Sequence, residues 1–283
     1  MDSSKPPEQV SPNDSDLQAA VDLVAEVGWN QVADDWRLFV RAGSVFGIRD
    51  PAGRIVATAA AIPYGAAFGW VSMVLVTASW RRKGLATRLL HACIAELESA
   101  GRVPLLDATP DGEQVYVRLG FVPHFDLQRW QRGPAAVDPG RTEEGVRNAT
   151  IADASTIAEQ DRSVFGGDRS AVLRDLLTRD SAKVWMLEDR PGYLLSRKGR
   201  IARQLGPLCG QNDDDAVRLL AAALADVQGP VFIDVPDRHE ALADLLKASG
   251  FTPQRSLRRM AKGRAEPFGD PDRMYALVGP EFG

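Results

Sequence analysis

A short basic segment that contains a glycine is the stretch of this sequence best suited to hold an anion. It reads Arg81-Arg82-Lys83-Gly84-Leu85-Ala86-Thr87 and lies between an uncharged segment and an amphipathic one. The first backbone N–H groups of a helix have no intrahelical acceptor, and the helix dipole favours negative charge at that end. Glycine lets the backbone approach a ligand closely, and three cations add a positive field. We therefore expect a pyrophosphate as the ligand, although the segment lacks the Walker pattern Gly-x-x-x-x-Gly-Lys-Ser/Thr.

The hydrophobic pattern predicts the elements that hold this loop. No charged residue lies between Arg54 and Arg81, which is long enough to span a bilayer. Pro63, Gly65 and Gly69 interrupt this stretch, so we expect two buried strands, roughly 54–62 and 69–77, instead of a membrane helix. After the loop, apolar residues at helical spacing predict a helix from about Leu85 to Ala100.

The remaining segments of the first half alternate between helical and extended patterns. We expect helices at Asp16–Gly28, near Gln31–Arg41 and at Gln114–Leu119, and strands at Val45–Ile48, Val103–Asp107 and Phe121–Trp130. This alternation predicts an α/β architecture.

Composition narrows the class of protein. The chain has 283 residues, 45% of them hydrophobic and 25% charged, with a formal net charge of −4. These values exclude a wholly disordered chain, and they give no reason to expect nucleic-acid binding. Cys93 and Cys209 stand far apart and only three histidines occur, so we expect no metal site and a reducing, cytoplasmic location. The polar N-terminus lacks an apolar signal segment, and residues 1–13 are predicted to be a disordered tail.

The second half repeats features of the first. At an offset of 130 residues, Gly120-Phe121-Val122-Pro123 falls on Gly250-Phe251-Thr252-Pro253, and Arg88-Leu89-Leu90 falls on Arg218-Leu219-Leu220. Duplication explains these matches better than shared composition in two unrelated α/β domains. We therefore expect one domain at 14–135, a linker at 136–147 that is rich in glycine, proline and charge, and a second domain at 148–283.

The basic loop and one downstream motif together resemble the GNAT superfamily of N-acetyltransferases. Arg81, Gly84 and Ala86 fill the fixed positions of the family's acetyl-CoA signature, Gln/Arg-x-x-Gly-x-Gly/Ala, which follows a splayed strand. Tyr116-Val117-Arg118-Leu119-Gly120-Phe121 is similar to the family's Tyr-x-x-x-Gly-Phe element. Thr109 departs from the pattern, because the family usually has asparagine there. The resemblance covers roughly residues 14–135.

The resemblance implies a fold and a cofactor site. It implies two GNAT-like domains in tandem, of α/β (α+β) class, each a mixed, mostly antiparallel sheet flanked by helices. Acetyl-CoA would lie where the sheet splays open, with its pantetheine arm along Val74–Val76 and its pyrophosphate on the amides of Arg82–Thr87. The residues implied to contact it are Val74, Leu75, Val76, Arg81, Arg82, Lys83, Gly84, Leu85, Ala86, Thr87 and Thr109.

The resemblance also implies direct attack of an acceptor amine on the thioester. Tyr116 is then the candidate general acid for the leaving thiolate, with a core tyrosine as the alternative. For the general base we favour Asp107, at the open end of a central strand, while His124 and Asp126 remain options. Trp29 and Asn30 are expected to shape the acceptor pocket.

The second half is a changed copy in which the cofactor loop is altered. At the same offset Arg81 becomes Gln211, Gly84 becomes Asp214, and Asn212 and Asp213 replace two cations. Carboxylates at this helix start would repel a pyrophosphate, so we expect the copy to lack a usable cofactor site. The sequence as a whole indicates an acetyl-CoA-dependent N-acetyltransferase for an amine of a small molecule or peptide, active as a monomer or homodimer. The alternative is a non-catalytic sensor of acyl-CoA or another metabolite.

Overall fold

The structure is a computed structural model that describes residues 8–134 and 143–283. Residues 1–7 of the predicted tail and 136–142 of the predicted linker lie outside the described residues. The chain divides into two compact units, Met1–Leu105 and Leu106–Gly283. Strand β5 (Val103–Ala108) runs across this division.

The first unit is a mixed sheet with helices packed against it. Its elements are β1 (Glu8–Val10), α1 (Leu17–Glu26), α2 (Ala33–Ala42), β2 (Ser44–Arg49), β3 (Ile55–Tyr64), β4 (Phe68–Val76), α3 (Leu85–Ser99) and the start of β5. The strand order is β1-β2-β3-β4-β5; all neighbours are antiparallel except β4 and β5. The uncharged stretch therefore forms β3 and β4, as predicted. No helix within the described residues is long and apolar enough to cross a membrane.

Part of the predicted N-terminal tail is a strand. Glu8–Val10 pairs antiparallel with β2, with Glu8 opposite Arg49 and Val10 opposite Gly47. The prediction of disorder was wrong for these residues, because the exposed edge of β2 supplies backbone partners that a polar tail can use. The side chain of Arg88 also donates to Gln9 Oε1 at 3.0 Å.

The apolar side of α3 holds the basic loop that precedes it against the sheet. Leu85, Leu89, Leu90, Cys93, Ile94 and Leu97 are buried, and the helix packs on β3 and β4. Each such side chain contributes about 1.5–3 kcal/mol when it is fully buried. The start of α3 is therefore fixed relative to the end of β4.

The second unit is also a mixed sheet flanked by helices. It contains the end of β5 followed by α4 (Pro110–Arg118), β6 (Phe121–Arg132), β7 (Val146–Asn148), α5 (Ala154–Phe165), α6 (Ser170–Leu177), β8 (Lys183–Leu187), β9 (Tyr193–Lys198), β10 (Arg203–Cys209), α7 (Asp213–Asp226), β11 (Val231–Pro236), α8 (Glu240–Ala248), β12 (Thr252–Lys262) and β13 (Met274–Ala276). The strand order is β12-β6-β11-β10-β9-β8-β7, and β13 pairs with β10. Helix α4 begins four residues before the predicted start because Pro110 suits its first turn.

Strand β6 comes from the first half of the sequence but belongs to the second compact unit. It lies between β11 and β12 and is antiparallel to both. Arg129 of β6 donates two hydrogen bonds of 2.7 Å to the buried carboxylate of Asp234 in β11. The compact units thus divide at Leu105, whereas the predicted first domain extends to residue 135. The predicted linker extends to residue 147, but the structure already has a strand at Val146–Asn148, which pairs with β8.

Candidate active site

The basic loop makes a left-handed turn directly before α3. Gly84 is the N-terminal capping residue with φ +74°, and Arg82 has φ +60°. A left-handed conformation is costly for arginine, and such strain clusters at ligand sites. A Cβ placed on Gly84 would meet nothing within 4 Å, so the space beside it is open.

The helix start offers unpaired N–H groups. Arg88 donates its backbone N–H to the Gly84 carbonyl at 3.0 Å, whereas the amides of Leu85, Ala86 and Thr87 find no backbone acceptor among the described residues. No side chain caps the helix, and its first turn carries no acidic residue. This end of α3 therefore combines free donors, the positive end of the helix dipole and nearby cations, which suits a phosphate group.

The preceding strand leaves its parallel neighbour before it reaches the loop. Pairing between β4 and β5 ends at Trp70 and Leu105. Met73 then adopts φ +54°, and the register against β3 shifts nearby. Beyond this irregularity Leu75 and Val76 remain paired with β3, while pairing with β5 has already ended.

The strand end and the loop line one cavity of about 450 Å³. Its wall comprises Val27, Trp29, Val74, Leu75, Val76, Trp80, Arg81, Arg82, Gly84, Leu85, Ala86 and Thr87. The structure thus brings together most of the residues predicted to contact the cofactor, and it adds Trp29 from the predicted acceptor pocket. Lys83 lies outside this lining, with its ammonium 4.2 Å from the centre of the Trp80 ring. Asn30 is buried and is not part of the lining.

Glu26, which the sequence analysis missed, anchors the base of the loop. Its carboxylate accepts hydrogen bonds from Thr77 Oγ1 at 2.7 Å and from the Ala78 N–H at 2.6 Å. These bonds lower the pKa of Glu26, and Arg81 adds to the shift. A carboxylate at the end of α1 opposes the helix dipole, so nothing in the local pattern predicts it.

Tyr116 and Thr109, which complete the predicted motif, lie in the second unit. Thr109 occupies the capping position of α4, and its side chain makes no capping hydrogen bond. Tyr116 is half-buried, with its ring edge-on to Phe121 at 5.8 Å between centroids. A Cβ on Gly112 would approach the Tyr116 ring to 3.0 Å, so this glycine leaves room for the phenol.

Asp107, the favoured base, is engaged by an arginine. Arg259 of β12 donates to both carboxylate oxygens, at 2.9 and 3.0 Å, and both side chains are buried. Burial raises the pKa of Asp107, and the facing guanidinium opposes that rise. Each oxygen of this carboxylate therefore accepts a hydrogen bond from Arg259.

The two other base candidates, Asp126 and His124, differ in whether their acceptor atoms already have a hydrogen-bond partner. Asp126 forms an ion pair with Arg258 at 2.5 Å on an exposed part of the unit. His124 Nε2 lies 2.9 Å from the Arg264 carbonyl oxygen, so Nε2 carries the proton in this contact. Its Nδ1 is buried and has no partner among the described residues. Burial lowers the pKa of His124, and Arg259 and Arg264 lower it further, so the ring is neutral near pH 7.

The Asp107–Arg259 pair gives a stability prediction. Asp107→Asn leaves a buried guanidinium without its counter-charge, so we expect a loss of about 3–5 kcal/mol in the free energy of unfolding. The matched change Asp126→Asn breaks an exposed pair and should cost less than about 1 kcal/mol. Urea titrations of the two variants provide the measurement, and equal losses would contradict this assignment.

Comparisons with known proteins identify the family of both halves of the chain. Models of the acetyltransferase (GNAT) domain match residues 41–123 and residues 157–276. The uncharacterized N-acetyltransferase YitH of Bacillus subtilis is 25% identical over 234 residues, which cover 81% of this chain and 82% of that protein. The holothin acyltransferase of a Pseudoalteromonas species is 27% identical over 235 residues, covering 81% and 78% respectively.

Solved structures share the fold. A putative acetyltransferase from Pyrococcus horikoshii superposes with a TM-score of 0.83 at 18% identity, over 98% of this chain and 96% of that one. A tandem GNAT protein from the clavulanic acid biosynthesis pathway has a TM-score of 0.61 at 14% identity, over 90% and 98%. At these identities the likeness extends to the fold alone.

Proposed function

We propose that this chain, which belongs to the GNAT superfamily and carries two GNAT domains in tandem, is an acetyl-CoA-dependent N-acetyltransferase. Its acceptor is a primary amine of a small molecule or peptide. The two domains and the related acyltransferases support acyl transfer in general. The observation that carries the finer proposal is the cavity in which the free strand edge of Val74–Val76 meets the uncapped start of α3.

The residues around this cavity fit acetyl-CoA. The amides of Leu85, Ala86 and Thr87 supply donors for the pyrophosphate, and Arg81 and Arg82 supply positive charge. The backbone of Val74–Val76 supplies the groups that hold the pantetheine arm and polarise the thioester carbonyl. Bound acetyl-CoA provides the acetyl group as a thioester.

In this proposal the catalytic copy is the first GNAT copy, which the sequence analysis places at residues 14–135. The corresponding helix of the second copy, α7, begins with Asp213, Asp214 and Asp215. Asn212 caps that helix by accepting from the Asp215 N–H at 3.0 Å. Three carboxylates and an occupied cap do not favour a pyrophosphate.

Proton transfer is assigned to two side chains that the sequence places in the first GNAT copy. Tyr116 donates its phenolic proton to the leaving thiolate. We prefer His124 to Asp107 as the base, because its neutral Nδ1 accepts no hydrogen bond from the described residues, while both Asp107 oxygens accept from Arg259. The amine attacks the thioester carbonyl carbon, the C–S bond breaks, and the proton lost by nitrogen passes to the base.

Thiol release from acetyl-CoA across a panel of primary amines tests the proposed function. We expect turnover with at least one class of amine and a mass increase of one acetyl group on that acceptor. Tight binding of acetyl-CoA without turnover on any amine would favour the non-catalytic sensor instead.

The base assignment predicts a pH profile. A base works only when it is unprotonated, so activity falls as pH drops through its pKa. Because the pKa of His124 lies below its ordinary value of 6.5, we expect the acidic limb of kcat/KM below that pH. His124→Gln keeps a donor for the Arg264 carbonyl, and we expect it to lower kcat by about 10²–10⁴-fold. Asp126→Asn tests the other candidate on the same strand, and we expect it to keep the wild-type kcat. Full activity in His124→Gln would exclude this base.

A further inference from the structure

The break between parallel strands beside the cofactor cavity occurs a second time in the chain. In the second unit β10 pairs in parallel with β11 only as far as Leu205 and Ile233. The register of β10 against β9 then shifts between Leu205 and Leu208. This repeats the arrangement of β4, which leaves β5 at Trp70 and shifts its register against β3. Each unit therefore has a parallel strand pair that opens at the same point.

The second opening is filled by the chain itself. Beyond the shift, Leu208 pairs with Ala276 and Cys209 with Met274 of β13. The Gly210 N–H donates to the Arg273 carbonyl at 3.3 Å, and the Leu277 N–H donates to the Asp234 carbonyl of β11 at 3.0 Å. Residues 273–277, which we call the wedge segment, therefore bond to both strands that diverge.

The wedge segment also reaches the start of α7. The Tyr275 hydroxyl donates to Asp213 Oδ1 at 3.0 Å, and its ring lies 4.1 Å from the His239 ring. Asp215 is fully buried and accepts from the Gln211 N–H at 3.1 Å. The helix end that corresponds to the cofactor loop is thus occupied by the protein's own side chains, in contrast to the uncapped start of α3.

Burial and close backbone packing indicate that the wedge segment is an integral part of the second unit. Tyr275 is 3% exposed, and Ala276 and Leu277 are fully buried. Gly206, at the point where β10 leaves β11, has φ +131°, and a Cβ there would lie 1.7 Å from the Leu277 carbonyl oxygen. Only glycine at this position lets the wedge segment lie so close to β10.

We propose that the wedge segment is a built-in occupant of the second acyl-CoA cleft, taking the place of a pantetheine arm, so that each chain binds a single acyl-CoA. This inference rests on the proposed function of the first cleft. Residues 273–277 bond to Leu208 and Cys209 of β10 and to Asp234 of β11, where a ligand would otherwise lie. The second copy keeps the GNAT sheet, and its own residues 273–277 fill the opening between β10 and β11.

Hydrogen exchange tests the wedge segment without any cofactor. In the wild-type chain we expect the Leu277 and Gly210 amides to exchange on the order of a thousandfold more slowly than in an unstructured peptide. Gly206→Ala should remove most of that protection. Gly229→Ala is the matched control, since Gly229 has φ +81° but nothing within 4 Å of its Cβ position. Unprotected Leu277 and Gly210 amides in the wild-type chain would overturn the proposal, even if no variant folds.

Calorimetric titration with CoA separates this inference from the proposed function. We expect a stoichiometry of one CoA per chain, and none in Gly84→Glu. Two CoA per chain in the wild-type protein would overturn the wedge proposal, because the second cleft would then be open to a ligand. Absence of binding in the wild-type chain would contradict the proposed function, while the exchange experiment still decides the role of the wedge segment.

Discussion

Gly84→Glu should abolish the thermal stabilisation that acetyl-CoA gives to this protein. At a concentration about 100 times Kd, a ligand stabilises the folded state by about 2.7 kcal/mol. For a chain of 283 residues that corresponds to a rise in Tm of about 4–5 °C. The new carboxylate would lie at the N-terminus of α3, where it competes for the free amides and repels the pyrophosphate. Thermal scans with and without acetyl-CoA measure the effect.

The control for Gly84→Glu is the same substitution at Gly53. Gly53 has φ +82° and open space around its Cβ position, so it shares the backbone strain of Gly84. It lies on the turn between β2 and β3 and does not line the cavity. We expect Gly53→Glu to lower the Tm of the free protein yet keep the full shift with acetyl-CoA. If acetyl-CoA raises the Tm of Gly84→Glu as much as that of the wild type, the loop is not part of the binding site.

Tyr116→Phe should lower kcat by about 10²–10⁴-fold while the affinity for acetyl-CoA stays close to that of the wild type. The change removes only the phenolic oxygen and keeps the ring that packs edge-on to Phe121. The departing thiolate then has to take its proton from water, which affects the chemical step and not ground-state binding. Initial rates of thiol release and calorimetric binding of acetyl-CoA separate the two quantities.

A control substitution on α4 separates the loss of a general acid from a general disturbance of the helix. Val117 is 52% exposed, so Val117→Ala trims α4 without touching the core. We expect wild-type kcat in Val117→Ala. If Tyr116→Phe keeps its kcat but loses stability, Tyr116 is a packing residue and the general acid lies elsewhere.

Local sequence information was sufficient to predict the elements and the position of the basic loop beside the end of β4. The uncharged stretch of β3 and β4, the amphipathic pattern of α3 and the glycine before it all act between near neighbours in the chain. For this reason the structure places Val74–Val76 and Arg81–Thr87 along one cavity, apart from Lys83. The same reasoning misplaced Glu8–Val10, because its strand partner lies about forty residues away.

Long-range pairing decided the features that the sequence pattern did not reveal. Asp107 stands at the end of a strand and is typical of a catalytic carboxylate, yet Arg259, 152 residues later, occupies both its oxygens. The Glu26 carboxylate reaches Thr77 across 51 residues and Ala78 across 52. A charged side chain carries no local signal for which distant partner neutralises it, and only burial and geometry settle that choice.

The sequence by itself determined that this protein is a tandem GNAT chain, and that α3 starts after a basic, glycine-containing loop where α7 starts with three aspartates. Both properties follow from residue types within a few positions, where backbone geometry and charge act directly. Only the tertiary structure decided that β6 lies between β11 and β12, and that residues 273–277 fill the second opening. Those contacts depend on which strand edges meet after folding, and backbone hydrogen bonds between strands are almost independent of side-chain identity.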